Sequence, residues 1–227
     1  MILVIFYQLC RMSLFTNRQV SSRGKLGIWH ITESLEELLK MKHFSEENLS
    51  LLNTFFYEHR KKEWLVARIL AEQLSEEKNS RIIYDEHNKP FLENSKKHIS
   101  ISHSHNFLAV ILDEYETGID IELIKPKVLR IKEKFMSDEE LNSLQKENLA
   151  EQLTVYWCAK ESLYKLYGKK ELAFKENLSI EPFHYSEKGI IKGWIKKSAM
   201  KKSFILHYEK LNSGDDNYML TYIINED

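Results

Sequence analysis

The sequence predicts an α+β protein whose two halves could pack as a pseudo-dimer. Three observations carry this. Two long stretches have apolar residues at helical spacing, FSEENLSLLNTFFYEHRKKEWLVARILAEQLSEE and LAEQLTVYWCAKESLYKLYG. Each is followed by short alternating or continuously apolar runs that read as strands ending in a hairpin. The helices also share a faint repeat, Lys62-Glu63-Trp64-Leu65 with Arg68 against Lys160-Glu161-Ser162-Leu163 with Lys165. The ordinary frequency of Lys-Glu pairs on helices is the competing explanation of that repeat.

Taken in order, MILVIFYQLC is apolar but lacks a basic leader and a small-residue cleavage site, and it falls short of the ~20 residues that span a bilayer. It reads as a strand or an extension, with Met12 an equally good start and SLFTNRQVSSRGK a polar lead-in. LGIWHI reads as a strand, and Thr32 or Ser34 caps a helix over LEELLKM. The first long helix ends near Glu77, RIIYD is a strand, and HNKPF turns at Pro90. HISIS and FLAVILD form a strand pair, and TGIDIEL is a further strand. Ser137 with Glu140 has capping-box spacing, and Gly168 closes the second long helix. LSIEPF, GIIKGWIK, KSFILHYEK and YMLTYIIN complete an antiparallel set. The first lobe is expected over residues 1–116 and the second over 117–227.

Lys+Arg at 33 against Asp+Glu at 34 excludes a whole-surface nucleic-acid binder, whose footprint would be basic. No stretch is membrane-like, and two cysteines, Cys10 and Cys158, cannot make a framework of bridges. A reducing, cytoplasmic setting follows as the expectation.

Three places could carry chemistry. In GIDIE, period-two alternation puts Asp120 and Glu122 on one face of a strand and Ile119 and Ile121 on the other. Adjacent carboxylates repel, so water at a solvated edge or a hard cation such as Mg²⁺ must offset them. Gly118 permits a close backbone approach there. On the second helix, Glu161 and Lys165 lie between apolar rows made by Leu153, Trp157, Tyr164 and by Tyr156, Ala159, Leu163, Leu166. That placement suits a partly buried metal-and-phosphate site; an ordinary surface pair is the alternative. In SISHSHNF, Ser102, His103 and Ser104 offer phosphate donors, while His98, His103 and His105 lack the Cys or HExxH companions of a zinc site. Plain strand-end polarity is the third reading.

Together and in this order the three places resemble the surfactin-type 4′-phosphopantetheinyl transferases. HISISHS is similar to that family's Ser-His-Ser segment, GIDIE to its acidic strand and WCAKESLYK to its Trp-x-x-Lys-Glu-Ser…Lys helix. HNKPFL resembles the Gly-Lys-Pro turn with Asn88 in place of glycine, and EHRKKEWLVAR the Arg-rich upstream helix. Residues 1–23 have no counterpart. The resemblance implies a pseudo-twofold pair of α+β lobes with the active site in the cleft between them. The resemblance implies transfer of the phosphopantetheine arm of coenzyme A to a serine of an apo acyl or peptidyl carrier protein, releasing adenosine 3′,5′-bisphosphate. It implies Mg²⁺ held by Asp120, Glu122 and Glu161, and Lys165 on the pyrophosphate. It further implies Arg60, Lys89, Ser102 and His103 on coenzyme A phosphates, with Arg68 a lesser candidate, and Glu161 or a metal-bound water as base. The basic run KPKVLRIKEK, with Val128, Leu129 and Ile131 interleaved, would dock an acidic carrier, and the enzyme would act as a monomer. A non-catalytic coenzyme A or carrier-binding module and a Mg²⁺-dependent phosphoesterase or pyrophosphatase are the alternatives.

Overall fold

The computed structural model describes residues 14–76 and 81–225, and the side chains from Thr16 onward. The expectations for residues 1–11, for Met12 and for a helix end at Glu77 lie outside the described residues.

The chain runs β1 (Leu14–Gln19), β2 (Lys25–His30), α1 (Leu35–Met41), α2 (Glu46–Thr54), α3 (Glu58–Ser75), β3 (Ile82–Tyr84), β4 (Pro90–Leu92), β5 (His98–Ser104) and β6 (Phe107–Asp113). It continues with β7 (Ile119–Leu123), α4 (Val128–Phe135), α5 (Asp138–Asn142), α6 (Leu149–Tyr167), α7 (Phe174–Asn177), β8 (Leu178–Ile180), β9 (Lys188–Lys197), β10 (Met200–Ser213) and β11 (Asp216–Ile223).

These strands make two antiparallel sheets, ordered β1-β2-β6-β5-β4-β3 and β7-β11-β10-β9-β8. With β1 set aside, both sheets read first, fifth, fourth, third, second in chain order. In each, the long helix, α3 or α6, lies between the first and second strands of that set. The faint sequence repeat therefore has a structural counterpart: two α+β lobes of one topology. β1 corrects the reading of residues 14–19 as a lead-in. It pairs with β2 from Leu14 opposite Trp29 to Gln19 opposite Lys25. Its polar side chains hid it because it is an edge strand, whose outer face has no core to bury.

The core is layered. Leu108, Val110 and Leu112 of β6 face α3 through Leu65, Leu70 and Leu74. The alternate residues Phe107, Ala109 and Ile111 face the other sheet through Ile119, Ile121, Leu220 and Tyr222. Buried on both faces, β6 needs the continuous apolar run FLAVILD, as sandwiched strands do. On the far side, Leu153, Leu163 and Leu166 of α6 pack on Leu206, Met219 and Ile223.

Local signals do what the sequence asked of them. Ser34 caps α1 in a full capping box with Glu37, and Ser137 caps α5 in another with Glu140. Gly168 ends α6 at φ 75°. Asn88 sits at φ 65°, so it adopts the left-handed turn in which glycine would otherwise be favoured. The helical stretch before Glu77 divides in two at Phe55–Tyr57. Ser45 starts α2, and Phe55 leaves the helix to pack on Trp64 at a ring distance of 6.4 Å.

Candidate active site between the lobes

β5 of the first lobe runs against β7 of the second, and the contact is made by serines. β7 is an edge strand, paired only to β11 in its sheet. The N–H groups of Ile119, Ile121 and Leu123 point away from β11. They donate to the hydroxyls of Ser100, Ser102 and Ser104 at 3.1, 3.3 and 3.1 Å. Alternation along HISISHS places these three hydroxyls on one face. They stand in for the backbone carbonyls of a missing strand and satisfy N–H groups that would otherwise be buried without partners.

Two of these rungs reach further. Ser102 donates to Asp120 Oδ1 at 2.7 Å, and Ser104 donates to Glu122 Oε2 at 2.9 Å. Because each oxygen already accepts a backbone N–H, its own proton is committed to the carboxylate. The Ser102 hydroxyl, expected on a phosphate, is therefore spent inside the seam, and Ser102 is 5% exposed.

Asp120 and Glu122 lean towards α6, as the alternation required. Lys165 donates to Asp120 Oδ1 at 2.7 Å and to the Ile119 carbonyl at 3.1 Å. Trp157 Nε1 donates to Glu122 Oε1 at 3.4 Å. Asp120 Oδ2 is buried and has no hydrogen-bond partner among the described residues. The buried Cys158 thiol donates weakly to the Met219 carbonyl. Gly118 makes this approach possible: a Cβ there would stand 2.1 Å from the Ser162 carbonyl oxygen of α6.

The acids are electrostatically strained. Burial and then the Asp120 charge push the Glu161 carboxyl up to about 7, against the opposing pull of Lys165. Burial and Asp120 also hold Glu122 above the usual carboxylate range, partly offset by Ser104 and Trp157. As the side chains lie, no three His, Cys, Asp or Glu among the described residues converge closely enough to grip one ion. The donor set nonetheless fits a hard cation, with an orphaned buried oxygen on Asp120 and two neighbouring carboxyls whose ionisation is opposed by burial and by the Asp120 charge.

Lys165 also lines a cleft of about 310 Å³ whose walls carry Arg60, His103, Lys89 and Lys170. The cleft thus meets the acids at one residue. Arg60 NH1 lies 2.8 Å from His103 Nε2, and Glu63 bonds both, at 2.7 Å to Arg60 and 3.1 Å to His103 Nδ1. The Lys89 stem crosses Gly168, and its Nζ donates to the Leu166 carbonyl at 2.7 Å, capping α6 from the other lobe. Arg68 lines the cleft but is 6% exposed; it stacks 3.4 Å over Trp64, and burial pushes its pKa down to about 10.

Lys160, within the predicted motif, is fully buried and binds Glu140 Oε2 at 2.8 Å and the Phe135 carbonyl at 2.6 Å. It stitches α5 to α6 and does not face the site. In α4, Val128 is buried and Leu129 and Ile131 are partly buried against the second lobe's core, as an amphipathic helix turns its apolar stripe inward. Lys125, Lys127, Arg130 and Lys134 stay exposed. Among the described residues no helix is long and apolar enough to cross a membrane.

Comparison with known proteins places these observations. Residues 116–223 match the family model of the 4′-phosphopantetheinyl transferase superfamily. The chain is 34% identical over 110 residues to 4′-phosphopantetheinyl transferase ffp of Bacillus subtilis, covering 46% of this chain and 49% of that protein. It is 33% identical over 110 residues to 4′-phosphopantetheinyl transferase Sfp of Bacillus subtilis (strain 168), with the same coverage. It is 37% identical over 75 residues to 4′-phosphopantetheinyl transferase psf-1 of Bacillus pumilus, covering 32% of each. The chain spans about half the length, or less, of the curated relatives it matches.

Proposed function

With residues 116–223 carrying the 4′-phosphopantetheinyl transferase superfamily domain, we propose that this protein transfers the 4′-phosphopantetheine arm of coenzyme A to a serine of an apo acyl or peptidyl carrier protein. The observation that carries the reading is the Lys165–Asp120 pair at the seam. A cationic cleft and a cation-deficient acid cluster share that one lysine. This is the arrangement a pyrophosphate substrate and a divalent ion would need side by side.

Asp120, Glu122 and Glu161 would hold Mg²⁺. When bound, it supplies positive charge to the pyrophosphate oxygens. The rest falls to this chain's own residues. Arg60 and Lys89 receive phosphate groups in the cleft, His103 holds Arg60 in place, and Lys165 places a point charge on the pyrophosphate. The carrier serine forms its new P–O bond as the pyrophosphate P–O bond breaks, and adenosine 3′,5′-bisphosphate leaves. The serine proton passes to Glu161 as general base. Ser102 and Ser104 orient the acids and take no phosphate themselves. Lys127 and Arg130, exposed at the start of α4, would steer an acidic carrier towards the seam.

The test is incubation with coenzyme A, Mg²⁺ and a panel of apo carriers, read by intact mass. The reading expects a phosphopantetheine mass on the carrier, lost in Asp120→Ala while the thermal transition survives. It also expects weaker use of carrier at low salt when Lys127 and Arg130 are replaced by Glu. Coenzyme A bound intact with no carrier modified would make this a binding module. Phosphate released without a carrier would make it a hydrolase.

A further inference from the structure

Glu63 is the one acid among the residues lining a cleft whose charged wall is otherwise cationic, from Arg60, Arg68, Lys89, Lys165 and Lys170. An acid there should repel a phosphate, so its presence needs a reason. Its surroundings provide one. Glu63 is 8% exposed; burial pushes its carboxyl up, but His103 and Arg60 outweigh burial and hold it below the usual range. Its two oxygens are divided between those two neighbours, Oε1 to His103 Nδ1 at 3.1 Å and Oε2 to Arg60 at 2.7 Å.

The third side of the triangle decides the tautomer. Arginine nitrogen only donates, so at 2.8 Å from Arg60 NH1 the His103 Nε2 must accept. The ring proton on Nδ1 is then donated to Glu63. That is the opposite of the Nε2–H form an unconstrained histidine prefers in water. A neighbouring carboxylate commonly selects the less favoured ring nitrogen in this way.

We propose that Glu63 is a positioning residue: it fixes His103 in the Nδ1–H form, whose unprotonated Nε2 accepts from Arg60, so that Arg60 is held from two sides and its remaining N–H groups are set for a phosphate before any ligand arrives. The proposal rests on the reading of this cleft as a phosphate site. The lobe repeat adds to it. Glu63 occupies in α3 the place that Glu161 occupies in α6, directly after the matching lysine. One acid serves a cationic pair and the other an acidic pair, so the two copies of one helix position have divided the work.

The test has a spectroscopic arm and a binding arm. Long-range ¹H–¹⁵N correlation on the ligand-free protein should show His103 as Nδ1–H. Glu63→Gln keeps an acceptor oxygen and should retain that signature, whereas Glu63→Ala should return the ring to Nε2–H. Coenzyme A binding by calorimetry should be about tenfold weaker in Glu63→Ala, the loss expected of one hydrogen bond to a charged group, and near wild type in Glu63→Gln. A merely repulsive Glu63 predicts tighter binding in both variants, and that result would overturn the proposal. So would an Nε2–H signal in the wild type, which needs no variant to fold. Because the tautomer is read without ligand, carrier or turnover, loss of the transferase reading alone would leave this signal in place.

Discussion

Ser102 Oγ stands between two partners on β7: it takes the Ile121 N–H at 3.3 Å and gives its own proton to Asp120 Oδ1 at 2.7 Å. One hydroxyl thus joins the two lobes and aims a carboxylate. Ser102→Ala removes both bonds and leaves a buried N–H without a partner. A loss of about 1–3 kcal/mol is expected, measured by denaturant titration. Ser104→Ala, which frees Glu122 and the Leu123 N–H in a less buried place, should cost less. Equal stability of Ser102→Ala and wild type would remove the serines from the seam.

Gly118 tests whether the closeness of α6 to β7 matters. A methyl at this position meets the Ser162 carbonyl at 2.1 Å, and backbone cannot swing aside as a side-chain tip does. Gly118→Ala should therefore push α6 outward, carrying Glu161 and Lys165 away from Asp120. The expected outcome is a lower Tm together with a fall of at least about tenfold in turnover, since small displacements of positioned groups cost that much and more. Unchanged turnover would mean that the acids need no such proximity.

Much of this site was legible because its rules are local. Strict alternation in GIDIE placed Asp120 and Glu122 together, and the periodicity of α6 brought Glu161 and Lys165 to one stripe. Cap residues Ser34, Ser137 and Gly168 marked helix ends by chemistry that acts within four residues. What escaped depends on partners distant in the chain. The face of β5 that carries Ser100, Ser102 and Ser104 could be read, but not that β7 lies across from it. The hydroxyls therefore looked like phosphate donors. Glu63 was visible in the repeat, yet its meaning comes from His103, forty residues on. β1 was missed because its burial alternates while Thr16, Asn17, Arg18 and Gln19 are all polar, so the half-buried face carries no apolar signal.

Lys160 is a case in which the motif residue serves the fold. It is fully buried, and burial lowers its pKa against the pull of Glu140. Lys160→Met would leave Glu140, 2% exposed, as an uncompensated buried charge. Breaking such a pair from one side costs about 3–5 kcal/mol. Thermal unfolding should show a large drop in Tm, while coenzyme A binding to the still-folded fraction stays near wild type. A Tm within a degree or two of wild type would mean the pair contributes little.

Glu161 links the seam to pH. Its folded value of about 7 lies above the ordinary 4.5, so between those values the folded chain holds a proton that the unfolded chain has released. The stability contributed by protonated Glu161 is complete below about pH 4.5 and is lost as pH rises through 7, and the raised Glu122 acts in the same direction. Without divalent ion, the wild-type Tm should therefore fall from pH 5 to pH 8 more steeply than that of Glu161→Gln, which cannot ionise there. Adding Mg²⁺ should raise the wild-type Tm more at pH 8 than at pH 5.5, because the ligands must be deprotonated to bind it. In Glu161→Gln the ion's effect should be much reduced. Parallel pH slopes in the two proteins would show that Glu161 ionises freely in the fold. A Mg²⁺ shift preserved in the variant would place the ion elsewhere.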